Sequence, residues 1–259
     1  MQTERQEQML EYLSLHSYLR IKEAIKLFNA SISTIQRDFK KLIDKGLVQK
    51  VRGGIKLATS TNLGMQPFAI RQVRLSKEKQ ALAKEAVKLI KPGNSIFVGG
   101  GTTTYYLCTC LPNFELSAIT NSFGFASSLV ERSAFLPSLE IHLAGGLLHT
   151  KSDVLLGPNT EESLRKYHVD IAFISPAAMD ESGLFLTNSL VMEAERIMIK
   201  NADKVVILAD HSKIGKKAMS WLCGLDNIDI LISNEWPDND HLLNELIKKG
   251  LDVLKVEIT

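Results

Sequence analysis

"SIFVGGGTTTYYL" (Ser95–Leu107) sets an apolar run against three glycines and three threonines, then resumes with a second apolar run. That order predicts a strand, a tight loop and a helix. Glycine lets backbone approach an anion closely, and a helix start offers free N–H groups and the positive end of a dipole. Gly100, Gly101, Thr102, Thr103 and Thr104 are therefore candidate phosphate contacts. The triplet alone is weak evidence, because many strand–helix turns need glycine for geometry alone.

The flanking sequence repeats the arrangement. Residues 77–90, "KEKQALAKEAVKLI", predict a helix ended by Pro92-Gly93. Short Ile, Val and Leu-rich runs at 95–98, 116–120, 139–143, 170–174, 204–209 and 229–232 predict strands, and "LDVLKVEI" a last one. Helical patterns at 123–131, 160–167, 190–201 and 240–249 fall between them. Such alternation gives an α/β fold, a mostly parallel sheet covered by helices. Ligands on such sheets lie beyond the carboxyl ends of the strands. Those ends carry Asn121 and Ser122, Gly145 and Gly146, and the run Asp210, His211, Ser212 and Lys213. Together with the glycine loop they form a candidate pocket for a phosphorylated polyol.

Charge is distributed unevenly. Residues 1–57 hold eleven Lys/Arg against six Asp/Glu, a net +5; the remaining 202 hold 20 against 23, a net −3. A basic head on a slightly acidic body suggests a polyanion-binding module joined to something else. The head reads as three helices. Met9, Leu10 and Leu13 share one face of the first. Ile21, Ala24, Ile25 and Phe28 share one face of the second, and Ile35, Phe39, Leu42 and Ile43 stripe the third. Ser31 is its expected N-cap and Gly46 its stop. "LVQKVRGGIKL" follows as two strands with Gly53-Gly54 at the turn. This is a winged helix-turn-helix, whose third helix suits the major groove, ~12 Å wide. Ser33, Thr34, Gln36 and Arg37 are expected near bases or adjacent phosphates; Lys40, Lys41, Lys50 and Arg52 are expected on the backbone. Asp38 reads as a structural partner for a cation, since a carboxylate beside phosphate is unfavourable. The bland alternative is a small helical domain with a solvated basic face.

Residues 58–76, with small polar residues, one Gly and one Pro, read as a linker, so the expected domains are 1–57, the linker 58–76, and 77–259. Cys108, Cys110 and Cys223 have no disulfide or zinc spacing and read as packed thiols. No histidine pair has the i, i+4 spacing of a zinc helix. His211 stands beside the proposed pocket, though a polar loop residue is its simpler reading. No apolar run approaches the ~20 residues of a membrane span, and the polar "MQTERQEQML" lacks a signal-peptide core. A cytoplasmic location is expected.

"STIQRDFKKLIDKGLVQKVRGG" closely resembles the helix-turn-helix and wing of the DeoR family of bacterial transcriptional regulators. Here Gln36 stands for the family's first arginine, Phe39 for its leucine and Arg52 for its wing histidine. The resemblance continues collinearly through "EKQALAKEAVKLIKPGNSIFVGGGTTT", "AITNS", "LAGG", "GPNTEESLRKYHVDIAFI", "ADKVVILADHSKIG" and "IDILIS". It implies a repressor of carbohydrate utilisation. The implied C-terminal domain binds a sugar phosphate and is similar in fold to ribose-5-phosphate isomerase. It also implies that Lys213 faces the ligand, and that Glu193 matches an acidic position, as a ligand contact or an interface residue. The chain departs from the family at Gly99, where an aspartate is common, and at "SPAA" (175–178), where Ala177 replaces an acid. The implied partners are double-stranded operator DNA, a phosphorylated sugar or sugar-alcohol effector, and further copies of the chain as a dimer or tetramer.

A second hypothesis is a sugar-phosphate isomerase carrying a DNA-binding head. It needs a general base at the reacting carbon. Gly99 and Ala177 hold the positions where acids are expected; Asp153, Asp180 and Glu181 are nearby in sequence only. The sequence weighs against catalysis, and no catalytic residue, cofactor or metal is expected.

Overall fold

The computed structural model describes residues 2–58 and 67–258 and divides into two units, Met1–Ser76 and Lys77–Thr259.

In the first unit, helix α1 (Gln2–Leu15) leads to a short strand β1 (Leu19–Arg20) and helix α2 (Ile21–Leu27). Helix α3 (Ile32–Asp44) follows, then the wing strands β2 (Val48–Val51) and β3 (Gly54–Leu57). The three strands pair antiparallel in the order β1-β3-β2. Met9 and Leu13 of α1, Ala24 of α2, and Ile35, Phe39 and Leu42 of α3 meet in one core with Leu19 and Ile55. Ser31 caps α3 by accepting from the Thr34 amide. Past its C-terminus, Gly46 takes φ +67 while the Leu47 and Gly46 amides bond back to Leu42 and Ile43, which ends the helix. At Gly54 a Cβ would stand 2.1 Å from the Leu19 carbonyl oxygen, so only glycine lets β1 pair there.

Asp38 is fully buried on α3. Arg5 Nε donates to its Oδ2 at 2.6 Å and Gln6 Nε2 to its Oδ1 at 3.1 Å. The cation partner read from the sequence therefore exists, and it comes from α1. The bond fixes α1 against α3.

Part of the stretch read as a linker is ordered differently from that expectation. Residues 59–66 lie outside the described residues. Phe68–Val73 form helix α4, which packs on α1 and buries Ile70 and Val73, an apolar i, i+3 pair.

Helix α5 (Ser76–Ala86), whose first residue closes the first unit, leads into the second and to β4 (Ser95–Val98). The second unit continues through α6 (Thr102–Tyr105), β5 (Leu116–Thr120), α7 (Phe123–Glu131) and β6 (Leu139–Leu143). A hairpin of β7 (Leu147–His149) and β8 (Val154–Leu156) precedes α8 (Pro158–Arg165) and β9 (Val169–Ile174). Then come β10 (Ala178–Asp180), β11 (Gly183–Leu186), α9 (Met192–Lys200), β12 (Ala202–Leu208) and β13 (Ser220–Cys223). The chain ends with β14 (Ile230–Asn234), α10 (Asp240–Lys248) and β15 (Asp252–Val256).

Seven strands form one parallel sheet in the order β15-β14-β12-β9-β4-β5-β6. Alternate residues serve opposite faces. Phe97, Ile119, Ala172, Ile207 and Leu231 pack with Leu164, Ile197 and Leu243 from α8, α9 and α10. Ile96, Ala118, Phe173, Val206 and Ile232 pack with Leu82, Leu107 and Phe125 on the other face. Burial on both faces is why these strands read as continuous apolar runs. β10, β11 and β13 form a separate antiparallel sheet.

Cys108 and Cys223 are buried and Cys110 half-buried; burial pushes their thiols up, to about 11, 12 and 11. Among the described residues no helix is long and apolar enough to cross a membrane.

Removing the Asp38 carboxylate strands two donors, Arg5 and the buried Gln6. Asp38→Ala should cost the first unit about 1–3 kcal/mol, read as a fall of several degrees in its thermal unfolding transition. A melt unchanged within about one degree would refute this role for Asp38.

Candidate functional site

In the parallel sheet the chain runs from β4 outward to β5 and β6, then returns to the other side of β4 as β9. The loops leaving β4 and β9 thus depart in opposite directions and open a crevice beyond their carboxyl ends, where open α/β sheets bind ligands. The glycine loop leaves β4 at this point, and Ser175-Pro176-Ala177 leave β9.

Lys213, from the loop after β12, spans the crevice. Its Nζ donates to Thr103 Oγ1 at 3.0 Å and to Ser175 Oγ at 2.7 Å, and lies 4.0 Å from Asp210 Oδ2. The lysine side chain is only 16% exposed. Burial works against ionised Asp210, but the Lys213 ammonium, the Ser212 hydroxyl and amide, and Lys79 outweigh it and hold the carboxyl below its usual range. Glu195, on the inward face of α9, is 2% exposed. Burial pushes its carboxyl up to about 8 against the pull of Lys213. Its Oε2 has no hydrogen-bond partner among the described residues, and neither does Asn121 Oδ1. The Asn121 oxygen is 3.6 Å from where a Cβ on Gly100 would stand, and the Asn121 amide donates to Leu155 O at 3.2 Å. The crevice therefore holds a cation with two hydroxyls, near a buried carboxyl with one oxygen unpartnered.

Thr103 and Lys213 are thus the sequence candidates that gather here, with Gly101, where a Cβ would stand 3.1 Å from Ser175 Cβ. Asn121 lies beyond β5, bonded to Leu155 of β8. The others are placed differently. Thr102, Thr103 and Thr104 are all buried, and the Thr104 hydroxyl donates to Gly99 O and Gly101 O, closing the loop on itself. The helix after the glycines is one turn long before it tightens into a 3₁₀ turn at Tyr106–Thr109, so its dipole is much smaller than the sequence led one to expect. A Cβ on Gly100 would stand 2.1 Å from Val154 Cγ1, so packing alone accounts for that glycine. Ser122 caps α7. Gly146, at φ +134, faces Thr160 and Leu156, and Gly145 O accepts from the Thr160 hydroxyl. Glu193 is half exposed and pairs with Arg165 at 3.6 Å and Arg196 at 4.0 Å. His211 stacks on Trp236 at 4.1 Å, and its amide donates to Asn234 Oδ1 at 2.8 Å.

The sequence reading missed Ser175 and Glu195. Glu195 shares a helix face with Met198 and Ile199, both buried. A carboxylate at i, i+3, i+4 from two apolar residues was the available signal. Of the acids considered for an isomerase base, Asp180 accepts from the Ser182 amide and lies 3.5 Å from Lys217. Among the described residues no group of three or more His, Cys, Asp or Glu could hold a metal ion.

In the first unit, Ser33, Gln36, Arg37, Lys40 and Lys41 are exposed on α3, and Lys50 and Arg52 are exposed on the wing. Thr34 is half-buried. The Ser33 and Thr34 hydroxyls both lie 2.9 Å from Ser31 Oγ, within the helix cap. The Tyr18 hydroxyl donates to Arg52 O and tethers the wing tip.

Because Glu195 has a folded-state value near 8 against an ordinary 4.5, its contribution to stability is complete below pH 4.5 and lost as pH rises through 8. Glu195→Gln keeps the neutral shape and removes that loss. Wild type and variant should melt alike near pH 5, and the variant should melt higher by pH 8.5. Parallel melting curves across that range would show that Glu195 does not titrate there.

Residues 5–61 match the DeoR-like helix-turn-helix domain, and residues 74–235 match the DeoR C terminal sensor domain. The chain is 30% identical to the uncharacterized HTH-type transcriptional regulator YulB of Bacillus subtilis, over 99% of this chain and 95% of that one. It is also 30% identical to the HTH-type transcriptional repressor GlcR of the same organism, over 99% and 97%. Ribose 5-phosphate isomerase A from Methanocaldococcus jannaschii superposes on 52% of this chain and 53% of its own, with 27% identity and a TM-score of 0.38. With both family domains matched in order and relatives aligned over nearly its whole length, the chain belongs to the DeoR family of transcriptional regulators.

Proposed function

We propose that this regulator is a cytoplasmic repressor of a carbohydrate-utilisation operon, relieved by a phosphorylated sugar or sugar alcohol bound in the crevice beyond β4 and β9. The observation that carries the effector reading is the Lys213 ammonium, held between Thr103 and Ser175 at the topological switch point. A buried cation suits a phosphate. The unpartnered Glu195 Oε2, close enough to feel Lys213, suits a ligand hydroxyl, so one ligand carrying phosphate and hydroxyls answers both needs. A protonated Glu195 adds no negative charge against a phosphate. The name of the GlcR relative supports repression.

The head holds the operator through the exposed cations of α3 and the wing. Paired half-sites call for at least two heads, hence a homo-oligomer. By linkage, the effector weakens operator binding only insofar as it favours the conformation that binds DNA less well.

Two outcomes test this. In a titration of sugar phosphates against labelled promoter DNA, Lys213→Ala and Thr103→Val should bind DNA as wild type does but no longer release it. Normal release by both variants would move the effector site elsewhere. Arg52→Ala should weaken DNA binding and lower the slope of log K against log salt by about 0.9, one phosphate contact. An unchanged slope would take Arg52 off the backbone.

A further inference from the structure

The first turn of α3 presents an unexpected group. Ile32, its first residue, is 55% exposed and takes no part in the head's core, which Ile35, Phe39 and Leu42 fill from the same helix. The polar side chains around it are engaged, because the Ser33 and Thr34 hydroxyls are bound to Ser31 within the cap. One turn on, at i+4, stands exposed Gln36, followed at i+8 by exposed Lys40. An aliphatic side chain thus leads the row that continues into an amide and a cation.

The N-terminal turn of a recognition helix is the part that meets base edges. The apolar group that base pairs offer in the major groove is the C5-methyl of thymine. We propose that Ile32 is a specificity residue that reads a thymine methyl, while Gln36 stands one helical turn, ~5.4 Å, further along. That spacing is one to two base-pair steps of ~3.4 Å, so a Gln36 contact to adenine would fall in the same A/T-containing patch. Ser33 and Thr34, tied to the cap, position the turn and leave base reading to Ile32 and Gln36. The proposal rests on the DNA-binding reading of the head.

The test uses the full chain and a duplex that the wild type has selected from a random library. Each thymine of a half-site is replaced singly by deoxyuridine, which removes only the 5-methyl. At one thymine the wild type should lose about fourfold in affinity, the worth of one buried methyl. Ile32→Ala should lose a similar factor on the unmodified duplex and become indifferent to deoxyuridine at that position alone. Ile32→Ser should behave as Ile32→Ala does. If Ile32→Ala binds as tightly as wild type, or remains sensitive to every substitution, the assignment is overturned. Failure of the wild type to select any duplex at low salt would instead overturn the DNA-binding reading itself.

Discussion

The lysine that crosses the crevice is the constraint on which the body's site depends. Lys213 leaves β12, passes the end of β9, and reaches the loop after β4. It ties three neighbouring strand ends together at the one place where the sheet's winding reverses. Taking an ammonium largely out of water is costly unless its protons are received. Thr103 and Ser175 receive two, and ionised Asp210 supplies the opposing charge. Glu195 cannot also ionise cheaply in the same dry volume, so burial keeps its proton on. Two carboxyls near one lysine have thus been driven apart in acidity. Asp210 is held low by hydrogen bonds and charge, whereas Glu195 is raised by burial with one oxygen left bare.

The head is organised by a different buried polar group. Asp38 turns inward from a helix whose outer face is cationic, and its two oxygens are taken by α1. The same helix therefore carries a carboxylate where no phosphate can approach and cations where one can. That separation lets a helix with mixed charge serve a polyanion. It also explains why Asp38 could be read from sequence as structural: its sign was wrong for the exposed face.

Strands of the main sheet were legible because both faces are buried, which makes each a short run of Ile, Val and Leu between polar punctuation. The helix after the glycines was not. Three successive threonines are poor helix formers, and the Thr104 hydroxyl bonds backbone carbonyls of the preceding loop, so the helix tightens after one turn. The β7–β8 hairpin escaped notice because its strands are three residues long and largely exposed on β7, too short for a period to show. α4 was hidden by its surroundings, since a six-residue helix among small polar residues has one apolar pair to announce it. At the site, resemblance pointed to Glu193, whereas burial singles out Glu195. Two residues on a helix differ by about 200° in direction, so one faces Arg165 and Arg196 while the other faces the core.

The engagement of Lys213 by the protein's own hydroxyls bears on how a sensor can signal. A site already complete would bind an anion without rearrangement, and equal affinity for two states shifts neither. Here Thr103 and Ser175 already occupy the ammonium, and Val154 lies against the glycine loop. In the proposed reading, an incoming phosphate competes with those hydroxyls for the ammonium. The loops after β4, β9 and β12 meet at Lys213, so a change of its partners bears on all three. Reorganisation lowers the intrinsic affinity, but it makes bound and free states differ in structure, and that difference is the source of any coupling to DNA. A pocket preformed for tight binding would have surrendered the conformational gap on which regulation draws.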